Sequence, residues 1–289
     1  MDNNAVADTH KIFTITSLSH SGSTVFSMAL ACHQQLVTVG EVFQVVRKHP
    51  RAMLEDKARD CSCGKHASEC EFWGPVLRAL GKLNYLEGNK KYDHVPSAYE
   101  IVAQHFHSIY GDDRYMVDTS KGLHHIEAMI ASTKLTPNAV FLLRDVRAYA
   151  NSQTRLASKQ NRKWLKKVKT HFWFQTLKWY FGNRKREKLL QQTNTPYTTV
   201  GYDAFCFEIG KTLANVYEAM DLPPVCQDED LSGSAHHVLF GNPMRLEPCA
   251  HAEIRYDSRW FSESGYILPL ALMPFIQRYN KRKVYKAGV

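Results

Sequence analysis

Residues Lys11 to Cys32, K-I-F-T-I-T-S-L-S-H-S-G-S-T-V-F-S-M-A-L-A-C, decide the fold. Ile12, Phe13, Ile15 and Leu18 make an alternating apolar run that reads as a strand, and Ser23 to Cys32 carries apolar residues at helical spacing. The stretch is therefore a strand, a tight loop and a helix. The loop, Ser19-His20-Ser21-Gly22-Ser23-Thr24, turns backbone N–H groups and hydroxyls towards one spot, where a helix terminus adds about half a positive charge. Such a spot accepts a phosphate or a sulfate. A Walker A loop is excluded, because it needs two glycines and a lysine that are missing here. Taken alone, the stretch reads as a capped helix after a strand before it reads as a binding loop.

Outward from this element the chain repeats the pattern. Gln35 to Glu41 is a short β-branched run that delivers a carboxylate just beyond Gly40. Tyr115-Met-Val-Asp118 reads as a buried strand ending in Thr119-Ser120-Lys121-Gly122, after a helix opened by a Ser97-x-x-Glu100 capping box. Ala139 to Leu143 is a strand set up by Pro137 and ended by Arg144-Asp145, with a helical pattern on through Arg155. Tyr197 to Tyr202 is a further strand, followed by a helix to about Met220, and a last helix spans about Leu268 to Asn280. Strands alternating with helices predict a three-layer α/β/α fold with a central parallel sheet, in one domain covering 1–289. Residues 50–96 lose strand character and read as a helical, irregular cap-like insertion. Residues 157–190, basic and aromatic, read as a lid-like segment.

The chain has 289 residues, 44% of them hydrophobic, enough for a sizeable core, and a net charge of +9 that points to an anionic partner. The polar N-terminus lacks the apolar stretch of a secretory signal, and the longest apolar run, 267–276, is short and holds Pro269 and Pro274. A cytoplasmic protein with no membrane partner is expected. Seven cysteines, an odd number, fit a reducing compartment better than a disulfide framework. Cys61, Cys63 and Cys70 with His66 supply four potential zinc ligands, but C-x-C is unlike the usual C-x2-C pair, so packing against Trp73 is the expectation.

In a parallel sheet, ligands bind beyond the carboxyl ends of the strands, and there stand the first loop, Glu41, Lys121 and Arg144. An arginine at a strand end and a serine eight residues on, Arg144 and Ser152, can hold one phosphate between them. Four segments together resemble the sulfotransferase family that uses 3′-phosphoadenosine 5′-phosphosulfate, particularly its bacterial small-molecule branch. S-L-S-H-S-G-S-T-V-F resembles the 5′-phosphosulfate loop, and F-L-L-R-D-V-R-A-Y-A-N-S the 3′-phosphate motif. V-D-T-S-K resembles the strand presenting a lysine to the sulfuryl group, and H-H-V-L-F-G-N-P-M-R the late loop over the nucleotide. The match in order and spacing runs from residue 11 to about 245. It implies a P-loop-like fold and an enzyme that sulfates a small molecule by in-line transfer, releasing adenosine 3′,5′-bisphosphate.

Position by position, the resemblance makes Ser19, His20, Ser21, Gly22, Ser23 and Thr24 the phosphosulfate loop. Arg144 and Ser152 hold the 3′-phosphate, and Gly241, Asn242 and Arg245 close from the other side. The chain departs from the family at His20, where lysine or arginine is usual. That histidine either serves as general acid for the leaving group or leaves the positive charge to Lys121. The acceptor needs a base. Glu41 fills that role by a G-E pair found in bacterial members. His124 is the rival, standing one position beyond the base histidine of animal-type relatives. This chemistry needs no metal. An aromatic set, Phe72, Trp73, Tyr92, Trp164, Phe172 and Trp173, suits a compact organic acceptor. Two other readings compete: a P-loop-like kinase using ATP and Mg²⁺, against which the missing loop lysine counts, and a basic nucleic-acid-binding protein, although no nucleic-acid partner is expected.

Overall fold

The computed structural model describes residues 9–56, 58–85, 92–159, 171–223, 225, 236–241, 243–246, 254 and 256–285. The β-branched and aromatic runs become β1 (His10–Ser17), β2 (Leu36–Gly40), β3 (Tyr115–Asp118), β4 (Leu135–Leu143) and β5 (Tyr197–Gly201), in one sheet ordered β2-β3-β1-β4-β5. Ile12 stands opposite Met116 and Thr14 opposite Asp118 in the parallel pairing of β1 with β3, and Leu36 opposite Tyr115 in that of β2 with β3. All of β2, and β1 from Ile12 to Ser17, are buried, as a sheet covered on both faces requires.

The helices flanking the sheet follow from the same punctuation. α1 (Ser23–Leu30) leaves the first loop. α2 (Val42–Val46), α3 (Arg51–Leu54), α4 (Trp73–Leu80) and α5 (Val95–Tyr110) lie between β2 and β3. α6 (His124–Ala131) precedes β4, and α7 (Val146–Lys159) and α8 (Phe172–Gln192) precede β5. The chain then runs through α9 (Tyr202–Phe207), α10 (Ile209–Ala219), α11 (Ile267–Leu272) and α12 (Pro274–Asn280). This is the three-layer α/β/α arrangement read from the sequence.

Two compact units can be distinguished: Met1–Ile15, Ser27–Ala139 and Asp230–Ala252 in the first, Thr16–Phe26, Val140–Glu229 and Glu253–Val289 in the second. In the first, the cap residues Phe72, Trp73, Val76, Leu77 and Leu80 join Val102 and Phe106 of α5 and Val37 and Val39 of β2 in one core. In the second, Phe26 meets Phe205 edge-on at 5.0 Å and Trp179 meets Tyr279 at 5.7 Å. There the fully buried carboxylate of Asp145 accepts from Arg147, Asn280 and Tyr285, joining the start of α7 to the C-terminal helices. Arg147 in turn lies 4.1 Å over the Trp260 ring.

Several expectations need correction. The Ser97–Glu100 capping box does not form: α5 starts at Val95 with Pro96 in its first turn, where a missing N–H costs nothing. Glu100 instead accepts from the Ser132 hydroxyl at 2.6 Å. The helix after β5 is interrupted at Glu208, and the C-terminal helix at Met273. At Met273 the following Pro274 bars α-helical dihedrals, so the residue takes φ −124° and ψ 63°. Phe72 and Trp73, placed by the sequence along an acceptor site, are fully buried in the cap core. The basic segment from Phe172 to Gln192 is a 21-residue helix that buries Thr176, Trp179, Asn183 and Leu190. Trp164 and Asn242 lie outside the described residues. Among the described residues, no helix is long and apolar enough to cross a membrane.

Candidate functional site

In the second unit the polar residues collect at the carboxyl ends of β1 and β4. After β1 the chain turns through His20 at φ +67° and Gly22 at φ +87°, then enters α1 at Ser23. A left-handed histidine costs about 1–2 kcal/mol of backbone strain. Contacts from outside help hold the turn: Arg144 Nη1 donates to the His20 carbonyl at 2.9 Å, and Gln153 Nε2 to the Ser19 carbonyl at 3.3 Å. Ser21 and Ser23 are buried while Ser19 and His20 face outwards. The Tyr202 ring presses on Gly22 so closely that a Cβ there would fall 2.1 Å from it. Gly22→Ala is thus expected to displace that ring and to lose about 1–2 kcal/mol from dihedral strain alone. Urea unfolding of Gly22→Ala and of Gly22→Ala with Tyr202→Ala separates the two parts, since the second change relieves only the clash.

Arg144 is 7% exposed and its backbone carbonyl accepts from the Trp179 indole at 2.9 Å. Its guanidinium Nη2 donates to Asp257 Oδ2 at 2.8 Å. Asp257 also accepts from Arg259 at 2.7 Å, and Arg259 and Arg144 together hold its carboxyl well below the usual range. Beside it opens a cleft of about 140 Å³, lined by His20, Asn151, Ser152, Arg155, Leu156, Asp257 and Arg259. Among the described residues, three buried polar atoms around this turn lack a partner: Thr16 Oγ1, Ser17 Oγ and Arg144 Nε. Buried donors left this way ordinarily cost about 1–3 kcal/mol each, so a site built around them has use for an anion. A larger cavity of about 640 Å³ among the C-terminal helices, lined by Leu270 and Pro274, contains none of these groups. Arg155, Asp257 and Arg259 were not singled out from sequence; the helical spacing of Arg155 from Ser152 was the one available signal.

In the first unit the polar residues stand at the carboxyl ends of β2 and β3. Gly40, at φ +78°, turns the chain where a Cβ would strike Val238 at 2.7 Å, and Glu41 follows as the N-cap of α2. Glu41 is 8% exposed; its Oε1 accepts from Lys121 Nζ at 2.5 Å, and Gln44 reaches Oε2 at 3.4 Å. What places this pair is Asp118, fully buried at the end of β3. Its Oδ1 accepts from the N–H groups of Val42 and Ser120, and its Oδ2 from the Tyr99 hydroxyl at 2.8 Å. Ser120 Oγ then accepts from the Phe43 N–H at 2.9 Å. One side chain thereby fixes the start of α2, which carries Glu41, and the segment that carries Lys121.

Burial pushes the Asp118 carboxyl up to about 6, against the bonds from Ser120 and Tyr99. The folded chain therefore binds that proton more tightly than the unfolded one, and this group's contribution to stability falls as pH rises from about 4 to about 6. Asp118→Ala orphans the Val42 and Ser120 N–H groups and is expected to cost about 2–4 kcal/mol at neutral pH, read from denaturant midpoints. His124, the rival base, begins α6 with a side chain 59% exposed; its Nδ1 lies 2.9 Å from Glu127 Oε2. Its ring sits 6.0 Å from Phe43 and 5.3 Å from Tyr92. In the late loop Gly241 is exposed, while Arg245 is buried and donates Nη1 to the carbonyls of Asp60 and Val238.

A model of the sulfotransferase family matches residues 12–227 of the chain. Among solved structures the chain is similar to the sulfotransferase domain of an olefin synthase from Synechococcus PCC 7002, at 18% identity and a TM-score of 0.52, covering 94% of this chain and 98% of that one. It is also similar to the sulfotransferase domain of the curacin biosynthetic pathway, at 13% identity and a TM-score of 0.48, covering 92% and 98% respectively. The first likeness shows a shared fold. No curated protein sequence matches the chain significantly.

Proposed function

The chain belongs to the sulfotransferase family, and on that premise we propose that it moves a sulfuryl group from 3′-phosphoadenosine 5′-phosphosulfate to a hydroxyl or nitrogen of a small molecule. The observation that carries the donor is Arg144: buried, bonded to the phosphosulfate-type turn through the His20 carbonyl, with Nε unsatisfied among the described residues. A carboxylate, Asp257, already lies against it, and Arg155 and Arg259 line the neighbouring cleft with Ser152. These residues fit a doubly anionic nucleotide. When bound, the donor supplies an activated sulfuryl group whose departure leaves a stable phosphate.

In this reading Ser21, Gly22, Ser23 and Thr24 bind the 5′-phosphosulfate through N–H and hydroxyl donors, and Ser19 and His20 shape the turn. Arg144 and Ser152 bind the 3′-phosphate, aided by Arg155 and Arg259. Gly241, Asn242 and Arg245 keep the nucleotide-closing role that the resemblance implies. His20 donates to the leaving oxygen, and Lys121 keeps the sulfuryl-facing role that the resemblance implies. Glu41 accepts the acceptor's proton; its buried carboxylate beside a cation supports this choice over the solvent-facing His124. Phe43 and Tyr92, 5.3 Å apart, offer an apolar wall two residues from that carboxylate, which suits a compact organic acceptor. Titration with adenosine 3′,5′-bisphosphate tests the donor site, and absence of both binding heat and thermal shift would overturn it. Mass spectrometry of acceptor panels incubated with the sulfate donor then tests transfer.

A further inference from the structure

Cys61, Cys63, Cys70 and His237 bring one ligand atom each to within 4.8 Å of one another. Cys70 Sγ lies 3.6 Å from Cys61 Sγ, 3.7 Å from Cys63 Sγ and 3.2 Å from His237 Nδ1, and Cys61 Sγ lies 3.9 Å from the same nitrogen. A tetrahedral zinc ion with bonds of about 2.3 Å to sulfur and about 2.0–2.1 Å to nitrogen separates its ligands by about 3.8 Å and about 3.6 Å respectively. The four side chains thus stand near the corners such an ion needs. His66, the imidazole nearest in sequence, is turned away: its Nδ1 lies 2.7 Å from Ser68 Oγ and its Nε2 2.9 Å from the Asp56 carbonyl. His237 takes its place from 167 residues beyond Cys70.

We propose that Cys61, Cys63, Cys70 and His237 form a structural Zn²⁺ site. The surroundings are built for thiolates. Backbone N–H groups point at all three sulfurs: that of Cys63 at Cys61, that of Lys65 at Cys63, and that of Trp73 at Cys70. Such donors stabilise metal-bound sulfur and fix its direction. The knuckle carrying the first two cysteines is a tight reversal, with an Asp60–His66 bridge, a Gly64 N–H to Cys61 carbonyl bond and Gly64 at φ +82°. Cys61 and Cys70 are buried and Cys63 is exposed, leaving an entry path for the ion.

The site also has a structural task. His237 belongs to the segment that bridges β2 at Thr38–His236 and donates the His237 N–H to the Thr38 carbonyl. Ser62, between the two knuckle cysteines, donates its N–H to the Val238 carbonyl, and its hydroxyl accepts from the Val238 N–H. Trp73 Nε1 donates to the His237 carbonyl. The metal would close this set, fastening the late segment to the cap. With four protein ligands and no open position the site is structural, and it stands or falls independently of the sulfate donor.

The test is metal content of the full chain, purified without a histidine tag or chelator from cells grown with added Zn²⁺. About one zinc per chain is expected, falling at least fivefold in Cys61→Ser and His237→Ala and unchanged in Cys32→Ser. Should those variants fail to fold, Cys63→Ser at the exposed corner and Co²⁺ substitution of the wild-type chain keep the question open to measurement. Bound Co²⁺ is expected to show tetrahedral visible bands with thiolate-to-metal charge transfer. Zinc well below stoichiometric, zinc retained in both Cys61→Ser and His237→Ala, cobalt without thiolate bands, or a disulfide among the three cysteines in the intact mass would each overturn the proposal.

Discussion

Arg144→Ala is expected to weaken adenosine 3′,5′-bisphosphate binding by about tenfold to a hundredfold, because a charge-assisted contact of this kind contributes about 1.5–3 kcal/mol. It also takes from Asp257 one of its guanidinium partners and from the left-handed turn the Arg144 bond to the His20 carbonyl, while the Gln153 bond to the Ser19 carbonyl remains. Arg144→Lys keeps the charge but not the fork that spans His20 and Asp257, and should recover only part of the affinity. Calorimetric titration measures this directly. A variant that binds as well as the wild type would remove Arg144 from the donor site. Acid unfolding gives a second readout. Because the folded state holds Asp257 ionised more strongly than the unfolded chain, its stabilising contribution is full above the ordinary value of 3.8 and is lost as pH falls below it. Removing Arg144 should flatten that part of the pH profile.

Glu41→Gln is expected to lower turnover by about a hundredfold to ten-thousandfold, the usual range for removing a general base, with nucleotide affinity changed by less than about threefold. The amide preserves the shape of the N-cap residue but cannot take a proton from a hydroxyl. His124→Ala, by contrast, should leave kcat within about threefold, since that imidazole is 59% exposed and engaged by Glu127. Steady-state kinetics on both variants decides between them. If His124→Ala loses turnover and Glu41→Gln retains it, the base is the histidine and the buried Glu41–Lys121 pair is structural.

Asp118 marks where sequence reading stopped short. It lay inside the V-D-T-S-K stretch, yet nothing local says that a strand-end aspartate will be fully buried and bonded to Val42, Ser120 and Tyr99. Two of those partners, Val42 and Tyr99, come from other elements, α2 and α5. Arg155, Asp257 and Arg259 escaped for the same reason: a surface charge is recognisable as part of a cleft only when the opposite wall is known. The capping box at Ser97 failed differently, because Pro96 and the demand of Glu100 for Ser132 outweighed a weak local motif.

The sequence by itself determined the strand, loop and helix at Lys11–Cys32, the parallel alternation and the family, because apolar period and turn residues act over a few neighbours and need no partner. It also placed Glu41, Lys121 and Arg144 at strand ends. Only the tertiary structure decided which side chains meet: Lys121 with Glu41, Arg144 with Asp257, and His237 rather than His66 with the three cysteines. Side chains reach only a few ångströms, so chemistry between residues 80, 113 or 167 positions apart exists only once the backbone has brought them together.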